Sequence, residues 1–173
     1  MAAMRLLSPN SGTADTTPDT TAQIPNVQWF QVVDGSIYDG DTLRVTSGDE
    51  EIKIRFCGID APEKAQDFGE ASRDRLRELV SIGGNQLGIV PIEQDRYGRT
   101  VAEVWITTVN DGAINLNTQL VADGMAYHYE QYSGNCPSKS AIASAETEAI
   151  ARGAGVWSRE SIRPWDYRRT TRQ

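Results

Sequence analysis

The sequence predicts an α+β fold, mainly β, in which five short strands form a barrel that carries three α-helices. Two observations predict it. Short segments of alternating or β-branched residues, bounded by turn chemistry, lie both before and after a first helical stretch. The resulting order, three strands, helix, two strands, helix, helix, suits a small barrel with helices on one side and one end, although a generic α+β domain satisfies the same order.

The elements follow in chain order. Val27 to Val33 alternates imperfectly and carries Trp29 and Phe30, and Thr42 to Thr46 alternates clearly. Ser47-Gly48-Asp49-Glu50 is turn chemistry, so Glu51 to Phe56 returns as the partner in a hairpin. Glu70 to Ser81 sets Leu76, Leu79 and Val80 on one helical face, and Gly83-Gly84 ends it. Gln86 to Ile92 and Arg99 to Ile106 read as strands. Ile114 to Asp123 and Ser138 to Arg152 have helical spacing and stop at Gly124 and Gly153. Residues 1–26 are rich in Ser, Thr, Asp and Pro without periodicity and read as a disordered arm. The globular domain is expected over 27–158, followed by an Arg-rich tail over 159–173.

A chain of 173 residues with 39% hydrophobic and 24% charged residues is long enough for one domain with a real core. It has no apolar run long enough to span a membrane, and the first residues lack the apolar stretch of a signal peptide. The net charge of −7 argues against a plain nucleic-acid binder, which carries a basic patch. The tail is the counterweight: five arginines stand there against two acids, net +3, and read either as a phosphate-attracting segment or as a solvated end. Cys57 and Cys136 permit one disulfide in an oxidising compartment and are too few for a metal cluster.

Three clusters carry chemistry. Asp39-Gly40-Asp41-Thr42 places two carboxylates around a glycine at a strand start. In Arg55 to Glu63 a strand runs into Asp60-Ala61-Pro62-Glu63, where Pro62 stiffens the turn and holds Asp60 and Glu63. A hard cation takes carboxylate, carbonyl and water oxygens, and Asp41, Asp60 and the Ala61 carbonyl supply three such donors. In Asp95-Arg96-Tyr97-Gly98-Arg99 a turn delivers an arginine at a strand start, and Arg55 with Arg99 suits a bidentate phosphate clamp. Taken singly, each cluster also reads as ordinary turn, cap or surface chemistry. Taken together they hold the parts for phosphodiester hydrolysis. The single histidine, His128, excludes a two-histidine mechanism and sits among Tyr127, Tyr129 and Tyr132, where packing or base stacking suits it better than catalysis.

On these motifs, and on Gly124 and Gly155-Val156-Trp157 in the same order, the chain resembles the staphylococcal (micrococcal) nuclease, or thermonuclease, family over residues 27–158. The resemblance implies an OB-type five-stranded barrel and an endonuclease that cleaves DNA and RNA to leave 3′-phosphate and 5′-hydroxyl ends. It implies Ca²⁺, with Mn²⁺ or Mg²⁺ as substitutes, held by Asp41, Asp60 and the Ala61 carbonyl, with Glu63 joined through water. Glu63 is then the general base, Arg55 and Arg99 bind the scissile phosphate, and Tyr97, Arg96, Tyr129 and Tyr132 contact the nucleotide. A monomer in an extracytoplasmic location is the expectation. The sequence departs from the family in its acidic charge, in Ala61 where the family has threonine, in a short loop after Glu63 and in Glu130 of the tyrosine loop. A non-catalytic OB module that binds nucleic acid or protein is the alternative, and the intact set Arg55, Asp41, Asp60, Glu63 and Arg99 argues against it.

Overall fold

The structure is a computed structural model that describes Ile24 and residues 26–171. The expected arm, apart from Ile24 and Asn26, lies outside the described residues, as does Arg172 of the tail.

β1 (Gln28–Val32), β2 (Thr42–Ser47) and β3 (Glu50–Phe56) form an antiparallel meander. Period-two patterning fixes its faces: Leu43, Val45, Ile54 and Phe56 point into the core, while Arg44 and Lys53 face outward. A two-residue strand, β4 (Ile59–Asp60), and helix α1 (Gly69–Ile82) follow. β5 (Gln86–Gln94) then pairs antiparallel with both β1 and β6 (Thr100–Thr108). The parallel pairing of β3 with β6, Arg55 opposite Val101, closes the ring β1-β2-β3-β6-β5. The result is the expected five-stranded barrel of OB type. A register shift between Pro91 and Glu93 marks a bulge in β5, where a proline without an N–H is tolerated.

The three expected helices are present, and the structure adds elements that the pattern did not indicate. β7 (Gly112–Asn115) extends the sheet beyond β6, with Ile114 opposite Ile106. This pairing takes Ile114 and Asn115 out of the second helix, α2 (Leu116–Ala122), and makes Asn115 its N-cap, with Oδ1 accepting from Thr118 N at 2.9 Å. The two-residue β8 (Tyr127–His128) pairs with β4, and α3 (Lys139–Arg152) follows. The buried Glu103 carboxylate of β6 accepts from Ser138 N at 2.5 Å and so satisfies an orphan donor at the start of α3. A fourth helix, α4 (Pro164–Thr171), lies in the Arg-rich tail and begins with a proline, which suits a first helical turn.

The core is one cluster. Leu43, Ile54, Leu87, Val104 and Ile106 from the strands meet Leu76 and Val80 of α1, Leu116 and Leu120 of α2, and Ile142 of α3. The helices therefore cover one side of the barrel. The end of β3, the start of β6, the β4–β8 ribbon and α4 frame a cleft.

Candidate active site

The floor of the cleft is built where β2 begins and β3 ends. Gly40 sits beneath α1 so closely that a Cβ there would lie 1.8 Å from Ser72 Oγ and 2.9 Å from Ala61 Cβ, so the aspartates on either side need a glycine between them. At Gly58 the backbone turns with φ +71°, and a side chain would meet Cys136 Sγ and Ser133 Cβ, each at 3.1 Å. These two close approaches carry the chain from β3 into Asp60-Ala61-Pro62-Glu63 at the cleft floor.

One guanidinium organises the carboxylates. Arg55 Nη2 donates to Asp60 Oδ1 at 2.9 Å, and Nη1 lies 3.2 Å from Asp41 Oδ2. Asp41 Oδ2 also accepts from Ala61 N at 2.6 Å, which ties the first motif to the second across twenty positions. Asp41 and Asp60 are buried, at 6% and 1% exposure, whereas the Glu63 side chain is 39% exposed and reachable by water. Burial, reinforced by the charge on Asp41, pushes the Asp39 carboxyl up to about 6. Burial also raises the Asp60 carboxyl, against hydrogen bonding from Arg168.

Across the cleft stands the turn between β5 and β6. Asp95 accepts from the backbone N–H groups of Tyr97 and Arg99 and from Arg99 Nε at 2.7 Å. This fixes Arg99 and leaves its Nη nitrogens without a protein acceptor among the described residues. Arg96 and Arg99 lie over the exposed Tyr97 ring, 4.9 and 5.6 Å from its centroid.

The third wall is the tyrosine loop. Tyr129 and Tyr132 have ring centroids 4.7 Å apart. His128 Nε2 lies 2.9 Å from the Oγ of buried Ser133, and its backbone N–H goes to Glu146, so its place is in the wall. The Cys57–Cys136 disulfide is formed, with Cα atoms 5.9 Å apart, and straps this loop to the strand that bears Arg55.

All ten site residues expected from the sequence line one cleft of about 1340 Å³. Seven of the seventeen basic residues and eight carboxylates line it. The net charge of −7 is therefore carried mostly elsewhere, and a bound dication would make the cleft positive. The sequence assigns no role to Asp39 or Trp165 and places Arg163 and Arg168 only in a phosphate-attracting or solvated tail, yet all four line the cleft. A faint signal for the tail exists in its arginine excess and in Pro164 at a helix start.

Comparison with known proteins identifies the family. The profile of the staphylococcal nuclease homologue family matches residues 53–159. The chain belongs to the staphylococcal nuclease family. It is 35% identical over 133 residues to an Escherichia coli protein named "Uncharacterized endonuclease", covering 76% of this chain and 80% of the relative. It is 34% identical over 141 residues to the "Micrococcal nuclease" of Shigella flexneri, covering 79% of each. A Haemophilus influenzae relative, also named "Uncharacterized endonuclease", is 38% identical over 135 residues, covering 77% of this chain and 70% of its own.

The donor chemistry of this staphylococcal nuclease homologue fits the divalent cation that the family resemblance implies. Two buried carboxylates, Asp41 and Asp60, flank the Ala61 backbone and offer the oxygen donors that a hard cation takes. Among the described residues no group of three or more His, Cys, Asp or Glu side chains forms a ready-made cage. An ion here would complete its shell with the carbonyl and water, as hard cations do.

Proposed function

We propose that this protein is a Ca²⁺-dependent endonuclease that hydrolyses phosphodiester bonds of DNA and RNA, leaving 3′-phosphate and 5′-hydroxyl ends. The observation that carries this reading is the convergence of Arg55, Asp41, Asp60, Glu63 and Arg99 on one cleft, with Arg55 bridging the two buried aspartates. The names of the bacterial relatives support a nuclease.

Asp41, Asp60 and the Ala61 carbonyl would hold the cation, with Glu63 reached through water. When bound, the cation supplies Lewis-acid neutralisation of phosphate charge. Glu63, exposed beside the buried pair, accepts the proton of a water attacking phosphorus. Arg55 and Arg99 donate to the non-bridging oxygens, whose charge grows in the transition state. As the P–O5′ bond breaks, Arg99 donates a hydrogen bond to the departing oxygen, which takes a proton from solvent water and leaves as the 5′-hydroxyl. Tyr97, Tyr129 and Tyr132, with Arg96, offer ring faces and charge to unstacked bases, which supports a preference for single-stranded or breathing substrate. Every one of these groups comes from one chain, in keeping with a monomer. The disulfide favours an oxidising, extracytoplasmic location.

The test is cleavage of plasmid and single-stranded DNA in EDTA, and then with Ca²⁺, Mg²⁺ or Mn²⁺ added in turn. Activity lost in EDTA and restored by Ca²⁺ is the expected result. Restoration only by another ion would overturn the cofactor, and no cleavage with any ion would overturn the enzyme reading in favour of a binding module.

A further inference from the structure

α4 reaches into the cleft and places a guanidinium among the carboxylates. Arg168 Nη2 donates to Asp60 Oδ2 at 2.6 Å, and Nη1 lies 3.2 Å from Asp60 Oδ1 and 2.8 Å from Glu63 Oε1. With Arg55 on Oδ1, Asp60 accepts three charged N–H donors, and both of its oxygens are engaged. A carboxylate engaged on both oxygens in this way has little left for a metal ion, and a dication beside Arg168 would meet a like charge at contact distance.

The rest of the tail holds α4 in place by contacts outside the carboxylate site. Arg163 lies between Tyr127 and Trp157, its guanidinium carbon 4.3 and 4.2 Å from their ring centroids. Gln66 Nε2 donates to the Ile162 carbonyl at 3.0 Å. Trp165 stacks on Tyr129 with ring centroids 4.9 Å apart and planes 8° from parallel, so it covers a face that a nucleobase would need. Both the cation seat and the stacking tyrosine are thus occupied by one eight-residue helix. Arg168 differs from both proposed phosphate donors: Arg99 keeps its Nη groups without a protein acceptor among the described residues, and Arg55 reaches Asp41 and Asp60 but not Glu63. Arg168 instead spends both Nη groups on the two carboxylates that the proposed chemistry needs free.

We infer that Arg168 is a built-in competitor of the divalent cation, so that cation binding at Asp60 and docking of α4 over the cleft exclude one another. This rests on the cation reading given under Proposed function. Because Arg168 is tethered, its local concentration is of the millimolar order typical of short intramolecular links, and the apparent cation affinity falls by the fraction of chains with α4 undocked.

The test is calorimetric titration of Ca²⁺ into the full chain and its variants, with near-UV circular dichroism as the check on folding. Arg168→Ala should bind Ca²⁺ at least about tenfold more tightly than the parent. Trp165→Ala, which loosens α4 without touching a carboxylate, should also bind more tightly, by a smaller factor, and keeps the test valid if the first variant misfolds. Ca²⁺ should change the tryptophan fluorescence of the parent, and the change should be lost in Trp165→Phe. Equal or weaker Ca²⁺ affinity in Arg168→Ala, or parent binding with no Trp165 signal, would overturn the competition and leave the cation reading standing. No Ca²⁺ binding by any of the proteins would overturn both.

Discussion

Asn117 of α2 donates from Nδ2 to the carbonyl oxygen of Cys57, 2.9 Å away and sixty positions back along the chain. The same side chain donates to the Ala102 carbonyl and accepts from Val104 N, entirely out of contact with solvent. A single buried amide therefore stitches together the end of β3, the middle of β6 and the helix beneath, immediately before the segment that bears Asp60 and Glu63. Asn117→Ala leaves a buried N–H and a buried carbonyl unpaired and should cost about 3 kcal/mol of unfolding free energy, read from urea denaturation. A loss below about 1 kcal/mol would show that water replaces the amide.

Glu63→Gln removes the proposed proton acceptor and should lower kcat by about 10²–10⁴-fold. Arg99→Ala removes a guanidinium aimed at the phosphate and should cost about 10²–10³-fold. Neither side chain lies in the core, so both variants should melt near the parent temperature. Near-parental turnover by either purified variant would remove that residue from the mechanism.

Closing a loop of 79 residues, the Cys57–Cys136 bridge should stabilise the fold by about 4 kcal/mol through the entropy of the unfolded chain. Reduction by dithiothreitol, or the double replacement by alanine, should lower the denaturant midpoint accordingly. Tyrosine-loop amides of residues 129–136 should then exchange faster than those of β2, because the bridge is the loop's strap to the barrel.

Burial alone would raise the Asp95 carboxyl, but hydrogen bonds from the backbone and side chain of Arg99 and from Tyr97 N outweigh it and hold the group below its ordinary value of 3.8. A depressed folded-state value gives stability that is present above the ordinary value and lost as pH falls through the folded one. The stability difference between the parent and Asp95→Asn should therefore be largest near neutral pH and shrink as pH falls below about 4. A difference that does not change with pH would show that the carboxylate charge contributes nothing to the turn.

The sequence by itself determined the barrel strands, three of the helices and ten of the residues that line the cleft. These rest on local physics: alternation places Leu43 and Val45 on one face, glycines at 83, 124 and 153 end helices, and the stiff Asp60-Ala61-Pro62-Glu63 turn carries its own chemistry. What only tertiary structure decided is what distant segments do to one another. β7 exists because β6 offers an edge that claims Ile114 from the helix its spacing suggested. Cys57 finds Cys136 because the barrel brings the tyrosine loop to the end of β3. α4 docks through the stack of Trp165 on Tyr129 and the ion pairs of Arg168 with Asp60 and Glu63, partners that lie far away in sequence. Asp39 is likewise an ordinary turn aspartate until burial beside Asp41 raises its proton affinity. Periodicity records the core that a segment faces, but it leaves no trace of a charge that meets its partner only after the chain has closed.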